Sequence, residues 1–210
     1  ADKYLDYGMN LLLMGPHGTG KTQTILELVE RKGLNFKYYS CSTLDPYTDL
    51  VGVPVPQVDE HGNDYLKMVR PREVDEAELI FFDEFNRADP KTMNAIFEII
   101  QFKSINGDPL PNLKACWAAM NPPDDQMQYD VEQVDPALID RFDIFIEIEP
   151  KPSVEYMAQR MPLKVAKALI LWWNEHERTT NLKKDKDKSR MDYISPVSYT
   201  HLRAHETSQD

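Results

Sequence analysis

A glycine-rich segment near the beginning of the sequence has the residue types and spacing of a phosphate-binding loop. It fits the pattern G-x-x-x-x-G-K-[ST] at every fixed position, with the members Gly15, Pro16, His17, Gly18, Thr19, Gly20, Lys21 and Thr22. The glycines allow backbone N–H groups to turn inward around phosphate oxygens, and Lys21 reaches the β- and γ-phosphates. The Thr22 hydroxyl is a ligand for Mg²⁺ in such loops. The pattern therefore predicts a site for ATP and Mg²⁺.

Two adjacent carboxylates follow an apolar run, residues 79–82, about sixty residues after Thr22. Phosphoryl transfer needs a carboxylate at a strand end, opposite the phosphate loop, to hold the metal. We expect Asp83 to hold Mg²⁺ through its water shell and Glu84 to polarise the attacking water. An acidic strand terminus alone is as often structural as functional, but the loop upstream favours the functional interpretation.

Asn121 and Arg141 are two further candidates for a role at an ATP site, and each has a second interpretation. Asn121 directly follows a fourth apolar run, where its amide would orient the water or contact the γ-phosphate. From the pattern alone, a turn-forming role before Pro122 is the favoured alternative. Arg141 precedes a fifth run, where it would either pair with Asp140 or project into the ATP site of a neighbouring subunit. The residues alone leave both questions open.

The elements that must position these side chains are strands alternating with helices. The predicted strands are residues 10–14, 36–41, 79–82, 115–120 and 143–148. A helix over residues 21–31 follows the phosphate loop, and a second begins with Asp89 as N-cap and Pro90 in its first turn. Helical spacing predicts a core face of Met93, Ile96, Phe97 and Ile100. Alternation of this kind predicts an α/β fold, with helices on both faces of a parallel sheet.

Two hairpins interrupt this alternation. Residues 53–58 and 65–69 flank a turn around Gly62, and their prolines mark an edge or a projecting extension. Asn106 and Gly107 form a strong hairpin signal between residues 104 and 113. Beyond Pro150 the pattern becomes helical over residues 153–178, with a break at Pro162.

The net charge, the cysteines and the apolar runs limit the kinds of partner and the cellular location that we expect. The 210 residues carry a net charge of −11, which disfavours binding to phosphate backbones or anionic membranes and favours protein partners. Cys41 and Cys116 lie in apolar segments and form no metal-ligand pattern, so we expect buried, reduced thiols and a cytoplasmic protein. The longest apolar run, residues 168–173, is too short to span a membrane.

The combination resembles the AAA+ ATPases and, within them, the MoxR-like group of the helix-2-insert clade. The residues that carry the resemblance are the phosphate loop and the segments 82–91, 118–122 and 135–142. The stretch Asp-Glu-x-Asn-Arg-Ala-x-Pro-Lys is the most specific of these. The Gly62 hairpin matches the position of the family's insert, and the Gly107 hairpin matches its pre-sensor-1 hairpin. The resemblance covers roughly residues 8–196.

The resemblance implies an α/β P-loop NTPase core with a five-stranded parallel sheet in the order 5-1-4-3-2, plus the start of an α-helical lid. It divides the chain into an AAA+ nucleotide-binding core over residues 1–150, a partial helical lid over 151–195 and a non-native tail over 196–210. The tail resembles a translated sequencing adapter and begins where the family's sensor 2 arginine is expected. We therefore expect the natural protein to continue, and the present chain to bind and hydrolyse ATP weakly.

Residue by residue, the resemblance implies that Asn121 is sensor 1 and that Arg141 is an arginine finger acting in trans. Arg87 is a second inter-subunit candidate, so the catalytic set is Glu84, Asn121, Arg141 and Arg87. The family implies a homo-oligomeric ring, usually a hexamer, that remodels protein partners, some of which carry a von Willebrand A domain. One departure is the segment 124–134, which is acidic and Gln-rich where the family is rich in Gly, Tyr and Pro.

Two alternatives remain at this point. A nucleic-acid motor or restriction subunit on the same core needs basic pore hairpins, yet Lys67 and Arg70 are offset by Asp59, Glu60 and Asp64. A nucleotide-dependent switch that barely turns ATP over is disfavoured by the two intact carboxylates. Nucleic acid and membrane are therefore not the expected partners.

Overall fold

The computed structural model describes residues 2–122 and 139–184, with side chains up to residue 176. The predicted tail, the acidic segment 124–134 and Asp135 to Leu138 of the arginine segment lie outside the described residues. The chain divides into two compact units, which are described separately: the first comprises Ala1–Gly15 and Lys21–Ile148, and the second comprises Pro16–Gly20 and the chain from Glu149 onward. No helix within the described ranges is long and apolar enough to cross a membrane.

The first unit alternates strands and helices, as the sequence predicts. In chain order it contains α1 (Asp2–Asp6), β1 (Leu11–Met14), α2 (Lys21–Lys32), β2 (Phe36–Ser40), β3 (Val53–Val58), β4 (Asp64–Val69), α3 (Arg72–Glu76), β5 (Leu79–Asp83), α4 (Pro90–Phe102), β6 (Ser104–Ile105), β7 (Asp108–Pro109), β8 (Ala115–Met120) and β9 (Ile144–Glu147). A π-helical turn, Pro46–Val51, and a 3-10 turn, Phe85–Arg87, complete it.

Five of these strands form one parallel sheet in the order β2-β5-β8-β1-β9. Numbered along the chain within the sheet, this is the predicted order 5-1-4-3-2, so the predicted fold class is confirmed. The central strands are buried on both faces, which is why they read as continuous apolar runs. The edge strand β9 alternates between partly buried and exposed residues, as its sequence predicts.

Side chains of the sheet alternate between two hydrophobic clusters, one on each face. Leu12, Ile80, Phe82 and Ala118 belong to the first cluster, whereas Leu11, Leu13, Leu79, Phe81 and Trp117 belong to the second. Helix α4 contributes to the first cluster, and α1 and α2 contribute to the second. The predicted arrangement of helices on both faces is therefore present.

The buried face of α4 differs in part from the prediction. Ile96 and Ile100 are buried as predicted, but Ile99 is fully buried as well. Met93 and Phe97 are only partly buried, although both pack against the first cluster. The predicted helix start is correct, because the Asp89 carboxylate accepts hydrogen bonds from the backbone of Lys91 at 2.7 Å and of Thr92 at 3.0 Å.

The first predicted hairpin is formed by β3 and β4, which pair in antiparallel register. Pro54 pairs with Met68 and Pro56 with Leu66, and all six residues of β4 are exposed. At its tip the Asp59 carboxylate accepts hydrogen bonds from the backbone N–H groups of His61 and Asn63, both at 2.8 Å. The hairpin thus projects from the body, as its prolines predict.

The second hairpin turns at Asn106 and Gly107, whose φ angles are 52° and 81°. Positive φ at both central residues is the geometry of a type I′ turn. The Glu98 carboxylate of α4 accepts hydrogen bonds from the N–H groups of both turn residues, at 3.0 and 2.8 Å.

The second unit contains α5 (Val154–Ala158) and α6 (Leu163–Lys184). Ser153 caps α5, accepting a hydrogen bond from the Tyr156 backbone at 3.3 Å. Met157, Met161 and Ala166 form a small buried cluster between the two helices. The predicted helical segment with its break at Pro162 is therefore observed. The boundaries proposed for core, lid and tail remain predictions.

Candidate active site

The phosphate-loop pattern joins β1 to α2, which is the strand–loop–helix context that such a motif needs. Gly18 and Gly20 have φ angles of 70° and 81°, a left-handed conformation that glycine adopts without steric cost. The Thr19 hydroxyl donates to the Pro16 carbonyl at 2.9 Å, which closes the loop locally. Helix α2 begins directly at Lys21, so its first backbone N–H groups and positive dipole end lie next to the loop.

Lys21 is buried in the site, with only 8% of its surface exposed. Its Nζ donates to the Gly15 carbonyl at 2.6 Å and to Asn121 Oδ1 at 3.0 Å. Burial lowers the pKa of the ammonium group, while the Asp83 charge opposes this shift. The lysine predicted to contact phosphate and the asparagine predicted to act as sensor 1 are therefore in direct contact.

Thr22 and Asp83 also lie together, across 61 residues of chain. The Thr22 hydroxyl donates to Asp83 Oδ2 at 2.5 Å, well inside the reach of a single Mg²⁺ coordination shell, which we expect to be below roughly 8 Å. Mg²⁺ takes oxygen ligands, keeps several waters and usually binds through one or two carboxylates plus substrate phosphates. A hydroxyl and a carboxylate at this separation fit that requirement.

Tyr38 is a site residue that the sequence analysis missed. Its hydroxyl donates to Asp83 Oδ2 at 3.3 Å. Burial, followed by the nearby Asp83 charge, raises the pKa of Tyr38 to about 12. No local motif marks this tyrosine, because its place depends on the pairing of β2 with β5, in which Ser40 is the register partner of Asp83.

Glu84 adopts a left-handed backbone conformation, with φ 52° and ψ 41°. Such a conformation is rare for a non-glycine residue, costs about 1–3 kcal/mol and tends to occur at functional sites. The Glu84 carboxylate forms an ion pair with Arg87 Nη1 at 3.2 Å, and both side chains are partly exposed. The structure thus places Arg87 beside Glu84 of its own chain, and its inter-subunit role stays a prediction.

The 3-10 turn after Glu84 contacts two other predicted elements. The buried Asn86 side chain donates from Nδ2 to the Asn121 carbonyl at 3.0 Å. The Phe85 ring packs edge-on against Phe142, with ring centroids 5.6 Å apart. Asn86 is a second residue that the sequence analysis did not assign, although it lies inside the most specific motif. Only its burial and its contact with Asn121 distinguish it.

Arg141 lies against helix α4. Its Nε donates to Gln101 Oε1 at 3.3 Å, and its guanidinium group lies 4.6 Å from the centre of the Phe97 ring. This is a packing environment on the same chain. The two predicted alternatives, pairing with Asp140 and action on a neighbouring site, both stay predictions.

Comparison with known proteins gives the family. Residues 10–142 match the protein-family model for the AAA domain, dynein-related subfamily. The chain belongs to the AAA family. The match includes the phosphate loop, the Asp83–Glu84 pair, Asn121 and Arg141, so the expected AAA+ nucleotide-binding domain is confirmed at the family level. ATP binding and ATPase activity are supported at that level, whereas the role of each site residue is a separate question.

Comparisons with solved structures and with curated proteins say less about this chain than the family match does. The crystal structure of a protein from Cytophaga hutchinsonii ATCC 33406, described as a candidate ATPase, is similar to this AAA chain with 26% sequence identity and a TM-score of 0.46. The similarity covers 69% of this chain and 42% of that chain, so the chain spans less than half of that protein's length. A search of the curated proteins found no significant match.

Proposed function

We propose that the chain is the ATP-hydrolysing core of a MoxR-like AAA+ protein that assembles into a ring and remodels protein partners. The observation that carries the ATPase part is the convergence of two hydrogen-bonded pairs, in which adjacent residues of α2 are the donors. Lys21 donates to Asn121 at 3.0 Å and Thr22 donates to Asp83 at 2.5 Å. All four lie at the carboxyl edge of the parallel sheet or at the start of the following helix. This is where ligands bind in open α/β sheets.

In this proposal each of these residues has a separate role in phosphoryl transfer. Lys21 exchanges its bonds to Gly15 and Asn121 for phosphate oxygens and neutralises their charge. Thr22 and Asp83 hold Mg²⁺, which supplies charge neutralisation at the phosphate oxygens when it is bound. Tyr38 keeps the Asp83 carboxylate in place through its hydroxyl hydrogen bond.

Glu84 orients the attacking water and accepts its proton. The same carboxylate forms its ion pair with Arg87 through one of its two oxygens. Asn121 contributes an amide beside Lys21, where it contacts the γ-phosphate or the water. Correct placement of a water nucleophile is a main source of rate in this class of reaction.

The ring and the protein partner rest on the motif resemblance and on charge. Arg141, and as a second candidate Arg87, complete the ATP site of the neighbouring subunit in a hexameric ring. A chain with a net charge of −11 is suited to protein partners, among them one with a von Willebrand A domain, rather than to nucleic acid.

The test measures ATP turnover by this chain as a function of Mg²⁺ concentration, with and without added DNA or RNA. We expect Mg²⁺-dependent turnover that nucleic acid does not stimulate. Asp83→Asn should lose it, while Glu73→Gln, which alters an exposed carboxylate in α3, should not. Turnover that appears only with nucleic acid would favour the motor alternative, and equal turnover in Asp83→Asn would contradict the proposed site.

A further inference from the structure

Asn86 combines burial with a specific contact to the element that carries the predicted sensor. It lies two residues after Glu84, in the 3-10 turn, and only 5% of its surface is exposed. Its side-chain Nδ2 donates to the Asn121 backbone carbonyl at 3.0 Å. Buried polar groups are normally hydrogen-bonded, and a directed bond between two segments fixes their relative position.

The carbonyl that Asn86 contacts lies just beyond the end of a strand. Met120 is the last residue of β8 that pairs with β1, and its carbonyl accepts a hydrogen bond from Gly15 N–H at 3.2 Å. Asn121 follows it, and Pro122 comes next, which has no N–H to donate. Beyond the paired residues of β8, the Asn121 carbonyl accepts a hydrogen bond from a side chain of the neighbouring turn.

The same turn determines where the Glu84 carboxylate lies. Glu84 is held in its left-handed conformation by local bonds: its N–H donates to Asp83 Oδ1 at 2.9 Å, and its carbonyl accepts from Arg87 N–H at 2.8 Å. The Asn86 amide ties this turn to Asn121, and the Asn121 side chain contacts Lys21. The hydrogen bond from Asn86 thus connects the turn that follows Glu84, the predicted water-activating residue, to Asn121, the predicted sensor.

We propose that Asn86 is a positioning residue of the ATPase site, which sets the distance between the Glu84 carboxylate and the Asn121 amide. It touches neither nucleotide nor water and acts through these two residues. The inference rests on the proposed ATP hydrolysis. Small errors in the placement of a reacting group strongly reduce rate, so the effect should fall on the chemical step rather than on binding.

The test compares wild type with Asn86→Asp, which keeps the size of the side chain but lacks the donor, and with Asn86→Ala. The first-turnover rate of radiolabelled ATP is measured with protein in excess, and affinity is measured by titration with a fluorescent ATP analogue. We expect both variants to hydrolyse about tenfold to a hundredfold more slowly, with affinity within about threefold of wild type. Having two variants keeps the test valid if one of them does not fold.

Asn10→Ala is the matched control. Asn10 is also buried, and its side chain also donates to a backbone carbonyl, that of Ile100, at 3.1 Å. It precedes β1 and therefore lies at the amino-terminal ends of the parallel strands, whereas the predicted ATP site lies at their carboxyl ends. We expect this variant to melt at a lower temperature but to keep the wild-type rate per folded molecule.

The possible outcomes distinguish failure of the positioning role of Asn86 from failure of the proposed ATP hydrolysis. If wild type turns over ATP and the folded Asn86 variants match its rate, the positioning role is wrong while the proposed function stands. If affinity falls in parallel with rate, Asn86 is merely structural and the inference is also overturned. If wild type is no faster than Glu84→Gln, the proposed function fails and the inference falls with it.

Discussion

Lys21 is a buried cation whose Nζ donates hydrogen bonds to the Gly15 carbonyl and to Asn121 Oδ1. Replacing it with alanine removes the charge that we propose to neutralise the phosphates. We therefore expect Lys21→Ala to abolish nucleotide binding. Lys32→Ala is a suitable control, because Lys32 belongs to the same helix but pairs with Asp6 at 2.7 Å on the surface. Equal ATP affinity in Lys21→Ala and wild type, measured by titration calorimetry, would contradict the assignment.

Glu84 should separate binding from chemistry. Glu84→Gln keeps the size and the hydrogen-bonding capacity of the side chain but removes the carboxylate that we propose as the acceptor of the water proton. We expect unchanged ATP binding and a loss of hydrolysis. The measurement is release of inorganic phosphate at saturating Mg-ATP, alongside the affinity titration. Undiminished phosphate release would show that another group activates the water.

At the residue scale, the sequence predicts the positions that belong to short motifs. The spacing around Lys21 and the Asp83–Glu84 pair identifies a loop and a strand end, and the sheet order then brings the two together. Tyr38 and Asn86 escape this reasoning, because each becomes recognisable only through a contact with a distant segment. The conformation of Glu84 and its pairing with Arg87 are likewise properties of the folded turn rather than of composition.

Among the elements, the β3–β4 hairpin depends on a glycine at its base. Gly52 has a φ of 91°, and a Cβ there would lie 2.2 Å from the Val69 carbonyl oxygen, which belongs to the backbone and cannot move aside. At Gly62, with a φ of 82°, a Cβ would meet nothing within 4 Å. We expect Gly62→Ala to lower the free energy of unfolding by about 1–2 kcal/mol, through left-handed strain alone.

Gly52→Ala should lower the free energy of unfolding by more than Gly62→Ala, because the clash adds to the strain. Urea unfolding of the two variants tests this comparison directly. Limited proteolysis of the hairpin reports separately on whether its base has opened. If the two substitutions cost the same, the close approach between Gly52 and Val69 does not exist in solution.

Both thiols are buried, Cys41 directly after β2 and Cys116 within β8. Burial raises the pKa of Cys41 and of Cys116 from 9.0 to about 12. We therefore expect neither thiol to react with a disulfide reagent at pH 8 in the folded chain, while both react in urea. Reaction of either thiol without denaturant would contradict the burial described for it.

The same shift predicts how stability depends on pH. A folded-state pKa raised above the unfolded value gives a contribution that is fully present below pH 9 and is lost as pH rises toward 12. Per thiol, the loss by pH 10 is on the order of 1 kcal/mol. Urea unfolding at pH 7.5 and pH 10 measures it, and Cys116→Ala should show a smaller pH dependence than wild type.

At the element scale, strands and caps were predictable where local chemistry decides. The Asp89–Pro90 start of α4 and the Asn106–Gly107 turn each follow from the preferences of the residues themselves. The burial of Ile99 does not, since it depends on how α4 lies on the sheet. The π-helical turn Pro46–Val51 is too short to show a helical period, although Asp45 caps it by accepting a hydrogen bond from the Tyr47 N–H at 2.9 Å.

At the scale of the whole molecule, the proposed ring makes each ATP site depend on a neighbouring subunit. If Arg141 completes a neighbour's site, Arg141→Ala should slow hydrolysis by about 10³–10⁵. A mixture of Arg141→Ala with Glu84→Gln should recover part of the activity, because some interfaces then combine an intact Glu84 with an intact Arg141. Each variant alone should remain inactive.

Arg72→Ala serves as the control for this experiment. Arg72 is highly exposed and pairs with Glu76 at 2.6 Å within α3, so its loss should leave turnover unchanged. An Arg141→Ala chain with wild-type turnover would rule out the arginine finger. A mixture that stays inactive, although both variants assemble, would place Arg141 in its own subunit's site instead.

The sheet order was predictable because the motifs along the chain resemble those of the AAA+ ATPases, whose typical strand order is 5-1-4-3-2. In that order β8 lies between β1 and β5, so the segments that carry Lys21, Asp83 and Asn121 meet at the carboxyl ends of these strands. Assembly and partner choice depend on surfaces, whose residues follow no comparable rule. This is why the sheet order could be predicted, whereas ring size and target stay proposals.

The left-handed backbone at Glu84 has a consequence for the history of such sequences. Asparagine tolerates this conformation better than glutamate or glutamine does, so Glu84→Asn should melt at a higher temperature than Glu84→Gln. If Glu84 activates the water as proposed, selection for turnover retains a residue that the local backbone disfavours. In a lineage released from that selection, we expect this position to drift toward asparagine or glycine, so the residue found there would distinguish descendants that still consume ATP from those that only bind it.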